Sequence, residues 1–105
     1  MRPHSLILKD IAAFEPVSGI WLPLDELLIE LWAVGPPPAV ALPVLFGVFE
    51  RFPEDDGAGV FWAMVHGIEA LPFNYEPLLR ESHSRRPSEM SEVMLMRLAN
   101  WKNKA

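Results

Sequence analysis

The sequence predicts an all-α protein: five to six short amphipathic helices in antiparallel pairs, helical-repeat-like in plan, with a compact helical bundle as the alternative. Three observations carry that expectation. Apolar residues recur at intervals of three and four, and no alternating run follows residue 20. Prolines fall between these runs or in their first turns, where a missing N–H costs nothing. Half of the 105 residues are hydrophobic, enough for one core in a single domain spanning 1–105. No exact internal repeat is present, so the pairing rests on periodicity and loop length.

Residues 4–14 place Ile7, Ile11 and Phe14 on one helical face, although Leu6, Ile7 and Leu8 also suit a short strand. Glu15 to Gly19 reads as a loop, and Ile20, Trp21 and Leu22 are expected to pack on the core at the next helix entry. That helix, 24–34, follows Pro23 and buries Leu24, Leu27, Leu28, Leu31 and Trp32. Gly35 ends it, and Pro36-Pro37-Pro38 prevents continuation. Leu45, Phe46, Phe49 and Phe52 keep the helical period over 42–51. Gly47 interrupts them, either at about 1 kcal/mol relative to alanine or to let a neighbour approach closely.

The stretch 57–79 is the one on which the rest is expected to assemble. Val60, Phe61, Met64, Val65, Ile68 and Leu71 form one stripe over 59–71, capped by Asp55 or Asp56 and closed by Leu71-Pro72. Trp62, His66 and Glu69 lie one turn apart on another side, as an inter-helix lock or a working surface. Asn74 is the expected cap of the helix 75–84, with Pro77 in its first turn and Leu78, Leu79 and Ser82 inward. Arg80, Arg85 and Arg86 gather at its negative end. Ser88 caps the last helix, 89–101, whose stripe is Met90, Met94, Leu98 and Trp101.

Charge is unevenly placed. Residues 1–56 hold nine acids against three bases, and residues 57–105 hold five acids against six bases. An acidic front half disfavours nucleic acid and suits a basic protein partner. A solvated acidic surface explains the same residues without a partner. There is no cysteine, which excludes a disulfide scaffold, thiol chemistry and cysteine-ligated zinc. No apolar run approaches the ~20 residues a bilayer requires, and the N-terminal one is too short for a secretory signal. A cytoplasmic protein without membrane contact is expected.

Catalytic signals are weak. His66 and Glu69 at i, i+3 suit a shared metal or a small hydrolase, but zinc takes three or more protein ligands and the HExxH pattern is missing. A hydrogen-bonded structural pair is the better reading. Ser82, His83 and Ser84 are adjacent, whereas a triad needs a base oriented by a third group. Phosphate loops and dinucleotide fingerprints are missing too, so no cofactor and no catalytic residue is assigned. Tyr75 and Trp62 are expected in the core rather than as surface anchors.

Gly59-Val60-Phe61-Trp62, His66-Gly67-Ile68-Glu69, Tyr75-Glu76, Leu79, Ser82, Arg86-Pro87-Ser88 and Met94-Leu95-Met96-Arg97-Leu98 with Asn100 keep an unusual order and spacing. Over residues 45–100, with little in the first 40, the chain resembles small bacterial immunity proteins. These accompany polymorphic toxins, including contact-dependent growth inhibition systems. The tail Trp101 to Ala105 departs from that pattern, ending where more chain is expected. The resemblance implies a helical scaffold, no catalytic role, and neutralisation of a cognate toxin C-terminal domain by direct binding. It gives Trp62, His66, Glu69, Tyr75, Arg86 and Ser88 structural roles. For the binding surface, the acids supply the expectation: Asp25, Glu26 and Glu30 on one helix, with Glu50, Glu54, Asp55 and Asp56 around the next turn, facing a basic toxin.

Overall fold

Six helices follow the expected order in a computed structural model that describes residues 2–104: α1 (His4–Ala13), α2 (Leu22–Ala33), α3 (Ala41–Arg51), α4 (Val60–Glu69), α5 (Glu76–Arg85) and α6 (Glu89–Lys104). Met1, Ala105 and the Lys104 side chain lie outside the described residues. Helix prevails over strand at Leu6 to Leu8. Pro23 and Pro77 sit at the second positions of α2 and α5, inside the first turn. α4 stops at Glu69, ahead of the Leu71-Pro72 step.

Two antiparallel hairpins form the outside. In α1 and α2, His4 at one helix start meets Leu31 and Gly35 at the other's end. In α5 and α6, Glu76 meets Lys102 while His83 meets Ser91. α3 runs between the hairpins and packs on α1, α4, α5 and α6. In an open helical stack each repeat touches only its neighbours, so this packing is the compact bundle. Its hub is α3 rather than the stretch 57–79. The apolar face of α3 is wide enough for this: Leu42, Leu45, Phe46, Val48 and Phe49 are all buried. The radius of gyration, 13.4 Å, matches the ~13 Å of a compact chain this long.

Neighbouring helices cap one another. α1 and α2 have no basic residue in their last turns, so their final carbonyls need partners from elsewhere. Arg51 of α3 donates to the Ile11 and Phe14 carbonyls at 2.9 and 2.8 Å. His4 Nε2 lies 3.2 and 3.1 Å from the Leu31 and Gly35 carbonyls, which makes it the protonated ring nitrogen.

Trp21 anchors the aromatic end of the core, with ring centres 5.2 Å from Phe52 and 5.3 Å from Phe61. Of the three residues expected to pack there, only Trp21 is buried; Ile20 and Leu22 face out. The 57–59 turn also departs from expectation. Gly57, Ala58 and Gly59 are all left-handed, with φ of +59°, +54° and +91°. The Asp55 and Asp56 carboxylates accept from the Gly57 and Ala58 N–H groups, both at 3.0 Å. They therefore cap this turn, and α4 begins one step later. At the start of α5 the Asn74 side chain makes only a long 3.4 Å contact with the Glu76 N–H, and Tyr75 is the capping position. Ser88 caps α6 as expected, accepting from the Ser91 N–H at 3.0 Å, while Ser91 Oγ accepts in return from the Ser88 N–H at 3.1 Å. Among the described residues no helix is long and apolar enough to cross a membrane.

Candidate interaction surface

α4 lies between α2 and α6, and its two flanks are closed by different means. On the α2 side, Gly67 admits the Trp32 indole: a Cβ there would stand 2.6 Å from Trp32 Cζ2. Gly67, not Gly47, is thus the helical glycine of close approach; a Cβ at Gly47 would meet open space. On the α6 side, Arg97 donates to both Glu69 oxygens at 2.7 and 2.9 Å. The three helices consequently share one outer face.

That face carries exposed apolar groups. Ile29 on α2 is 63% exposed and Trp62 on α4 is 40% exposed. The Trp62 ring tilts against His66, with centres 6.3 Å apart. Trp101 leaves the expected core stripe of α6 and lies under the Arg97 guanidinium at 5.5 Å from its ring centre. Trp62 is therefore a surface residue, against its expected place in the core, while Tyr75 is buried as expected. The helical period explains this: Trp62 falls on the flank of Glu69 and His66, away from Phe61, Met64, Val65 and Ile68.

The proposed lock divides into two roles. The Glu69 side chain is 8% exposed and joined to α6, whereas His66 is 65% exposed and its Nδ1 stands 3.9 Å from Glu69 Oε1. Glu69 is the lock and His66 is surface. Arg97, its partner, was missed; a single arginine inside the apolar run 93–98 was the available signal. Tyr75 sits beside this pair, where burial pushes its phenol up and the Glu69 charge adds to the shift. Ser88 belongs to a second buried group, with Ser91 Oγ 2.6 Å from His83 Nδ1. Arg86 is exposed on the wall of an open cleft of about 640 Å³, shared with Glu15, Gly47, Glu50 and Arg51.

Four of the seven acids expected at the interface already hold the fold together. Arg2 donates to Glu30 at 2.9 and 2.7 Å, and this pairing holds the Glu30 carboxyl below the usual range. Arg85 donates to both Glu50 oxygens at 2.9 Å and Ser82 Oγ adds a 2.8 Å bond. The Arg85 contact lowers Glu50, with Ser82 helping against burial. Asp55 and Asp56 hold the left-handed turn. Asp25, Glu26 and Glu54 make no ion pair among the described residues. α2 and α3 do not pack on each other, so the two acidic groups do not form one continuous helix-pair face. Trp21, packed on Phe52, still brings the start of α2 to the end of the bundle that holds Glu54.

Between α2 and α4 runs a shallow groove of about 230 Å³, lined by Asp25, Leu28, Ile29, Trp32, Ala63 and Gly67. Its walls are apolar apart from Asp25. Among the described residues no group of three or more histidine and acidic side chains is placed to hold a metal.

The chain matches no family model, no curated protein and no solved structure.

Proposed function

We propose that this protein is an immunity protein that binds and neutralises a cognate bacterial toxin domain, working in the cytoplasm through the outer face of α2, α4 and α6. The observation that carries this reading is Trp62, a large aromatic held outside the core on a helix pinned from both sides. Exposed tryptophans on rigid elements are the usual anchors of protein interfaces, because they bury much apolar area at little entropic loss. His66 lies beside the ring, and Glu69–Arg97 fixes the helix that bears it. Asp25, Glu26 and Glu54 add uncompensated negative charge at one end, which speeds association with a basic toxin and selects against acidic partners. Neutralisation follows from steric cover of the toxin's working cleft.

The second reading, a small hydrolase or metal-dependent enzyme using His66 and Glu69, has their 3.9 Å approach in its favour. Both Glu69 oxygens, however, are engaged by Arg97, which leaves that carboxylate committed. Co-expression with the C-terminal domain of a toxin encoded beside this protein tests the proposal. Protected cells and a co-purifying complex support it; cells that die at the same rate with and without this protein overturn it.

A further inference from the structure

We propose that the α2–α4 groove is a socket for one long cationic side chain, arginine or lysine, presented by the partner; the source of that side chain rests on the immunity reading above. The groove joins an apolar trough to a single carboxylate. Leu28, Ile29, Trp32, Ala63 and Gly67 make an apolar trough, and the one charged group on it is Asp25, half-buried and without an ion pair among the described residues. Gly67 and Ala63 set its depth, since neither has a side chain beyond a methyl group. Lysine and arginine have the matching profile: an apolar stem for the trough and a positive head for the carboxylate. A wholly apolar side chain would desolvate Asp25 without a partner, and an acidic one would be repelled. Trp32 adds an aromatic surface that favours a cation over a neutral group. Glu26, exposed one residue on, adds to the negative charge of the first turns of α2.

The test is an amide-shift titration of the whole protein with N-acetyl-arginine amide, N-acetyl-lysine amide and the uncharged N-acetyl-norleucine amide. Either cation should shift the Trp32 indole and the Ala63 and Gly67 amides, and the two cationic arms show which head group is preferred. The norleucine compound should leave them in place. Asp25→Asn should weaken cation binding about threefold, the scale of one half-exposed ion pair. Ile29→Ala, on the opposite chemistry, should weaken it as well while circular dichroism stays unchanged. Equal response to norleucine amide, shifts confined to other surfaces, or indifference to Asp25→Asn would overturn the socket. A toxin complex that forms normally with Asp25→Asn also overturns it and leaves the immunity reading standing. A failure to bind any toxin removes that reading, and the titration then still decides the socket.

Discussion

Arg97 reaches from α6 to grip both carboxylate oxygens of Glu69 on α4, and the two ends of this bridge sit in different media. The Glu69 side chain is 8% exposed, while Arg97 is 36% exposed. Removing the arginine strands a buried carboxylate; removing the glutamate leaves a guanidinium that water can reach. Arg97→Ala should therefore lower Tm more than Glu69→Gln, and a double-mutant cycle should show positive coupling. His66→Ala should stay within about 0.5 kcal/mol of the parent, as an exposed position does. Thermal melts of the three variants check the order. A His66 effect as large as that of Arg97 would return the histidine to the role of lock.

The two helical glycines should respond in opposite directions. Gly67→Ala puts a methyl group into the Trp32 ring and should destabilise by about 1–3 kcal/mol, the scale of overpacking. Gly47→Ala meets nothing and should stabilise by about 0.5–1 kcal/mol through helix propensity. Urea melts of both variants give the signs directly.

What was legible in the sequence, and what was not, follows one physical line. Helix ends were readable because Pro23, Gly35 and Pro77 act through their own backbone. Buried faces were readable because Phe46, Phe49, Phe61 and Met64 repeat with the helical period. Partnerships were not readable: Arg51 with the Phe14 carbonyl, Arg2 with Glu30 and Arg85 with Glu50 join residues 28 to 37 positions apart. Periodicity gives a side chain's direction and is silent on the helix it meets. Periodicity therefore puts the acids of α2, Glu50 and the 54–56 turn on one surface, although four of the seven serve the fold.

Acid should destabilise the protein through the lowered carboxylates. Glu30, Glu50 and Glu76 are each held below the ordinary glutamate range, by Arg2, by Arg85, and by Lys102 with Arg80. A depressed folded-state pKa contributes stability that is complete above the unfolded value, about 4.3, and is lost as pH falls through the folded value. Tm should hold between about pH 7 and pH 5.5 and then drop. Glu50→Gln should start lower at neutral pH and show a shallower acid slope, read by thermal melts from about pH 7 down to about pH 3. A parallel pair of curves would remove Glu50 from the account.

Ala58 occupies left-handed space at φ +54°, ψ +37°, between two glycines. Ala58→Gly should relieve that conformation and gain about 0.5–1 kcal/mol, less the added freedom of the unfolded chain. Asp56→Ala should lose stability by about 1 kcal/mol with its cap bond, so charge reversal at Asp55 or Asp56 mixes folding with binding. Glu54, exposed and outside the turn's hydrogen bonds, is the clean position for testing charge. Its reversal should slow association with a basic toxin and flatten the salt dependence in stopped-flow measurements.

The measurement that bears most directly on the central claim is the dissociation constant of Trp62→Ala for the toxin domain that the immunity proposal assigns as partner, by calorimetry, against the parent. An interface anchored on the outer face of α4 predicts affinity at least about 30-fold weaker, the loss of a hot-spot residue, with Tm unchanged. An unaltered constant would place the toxin on another surface and contradict the account.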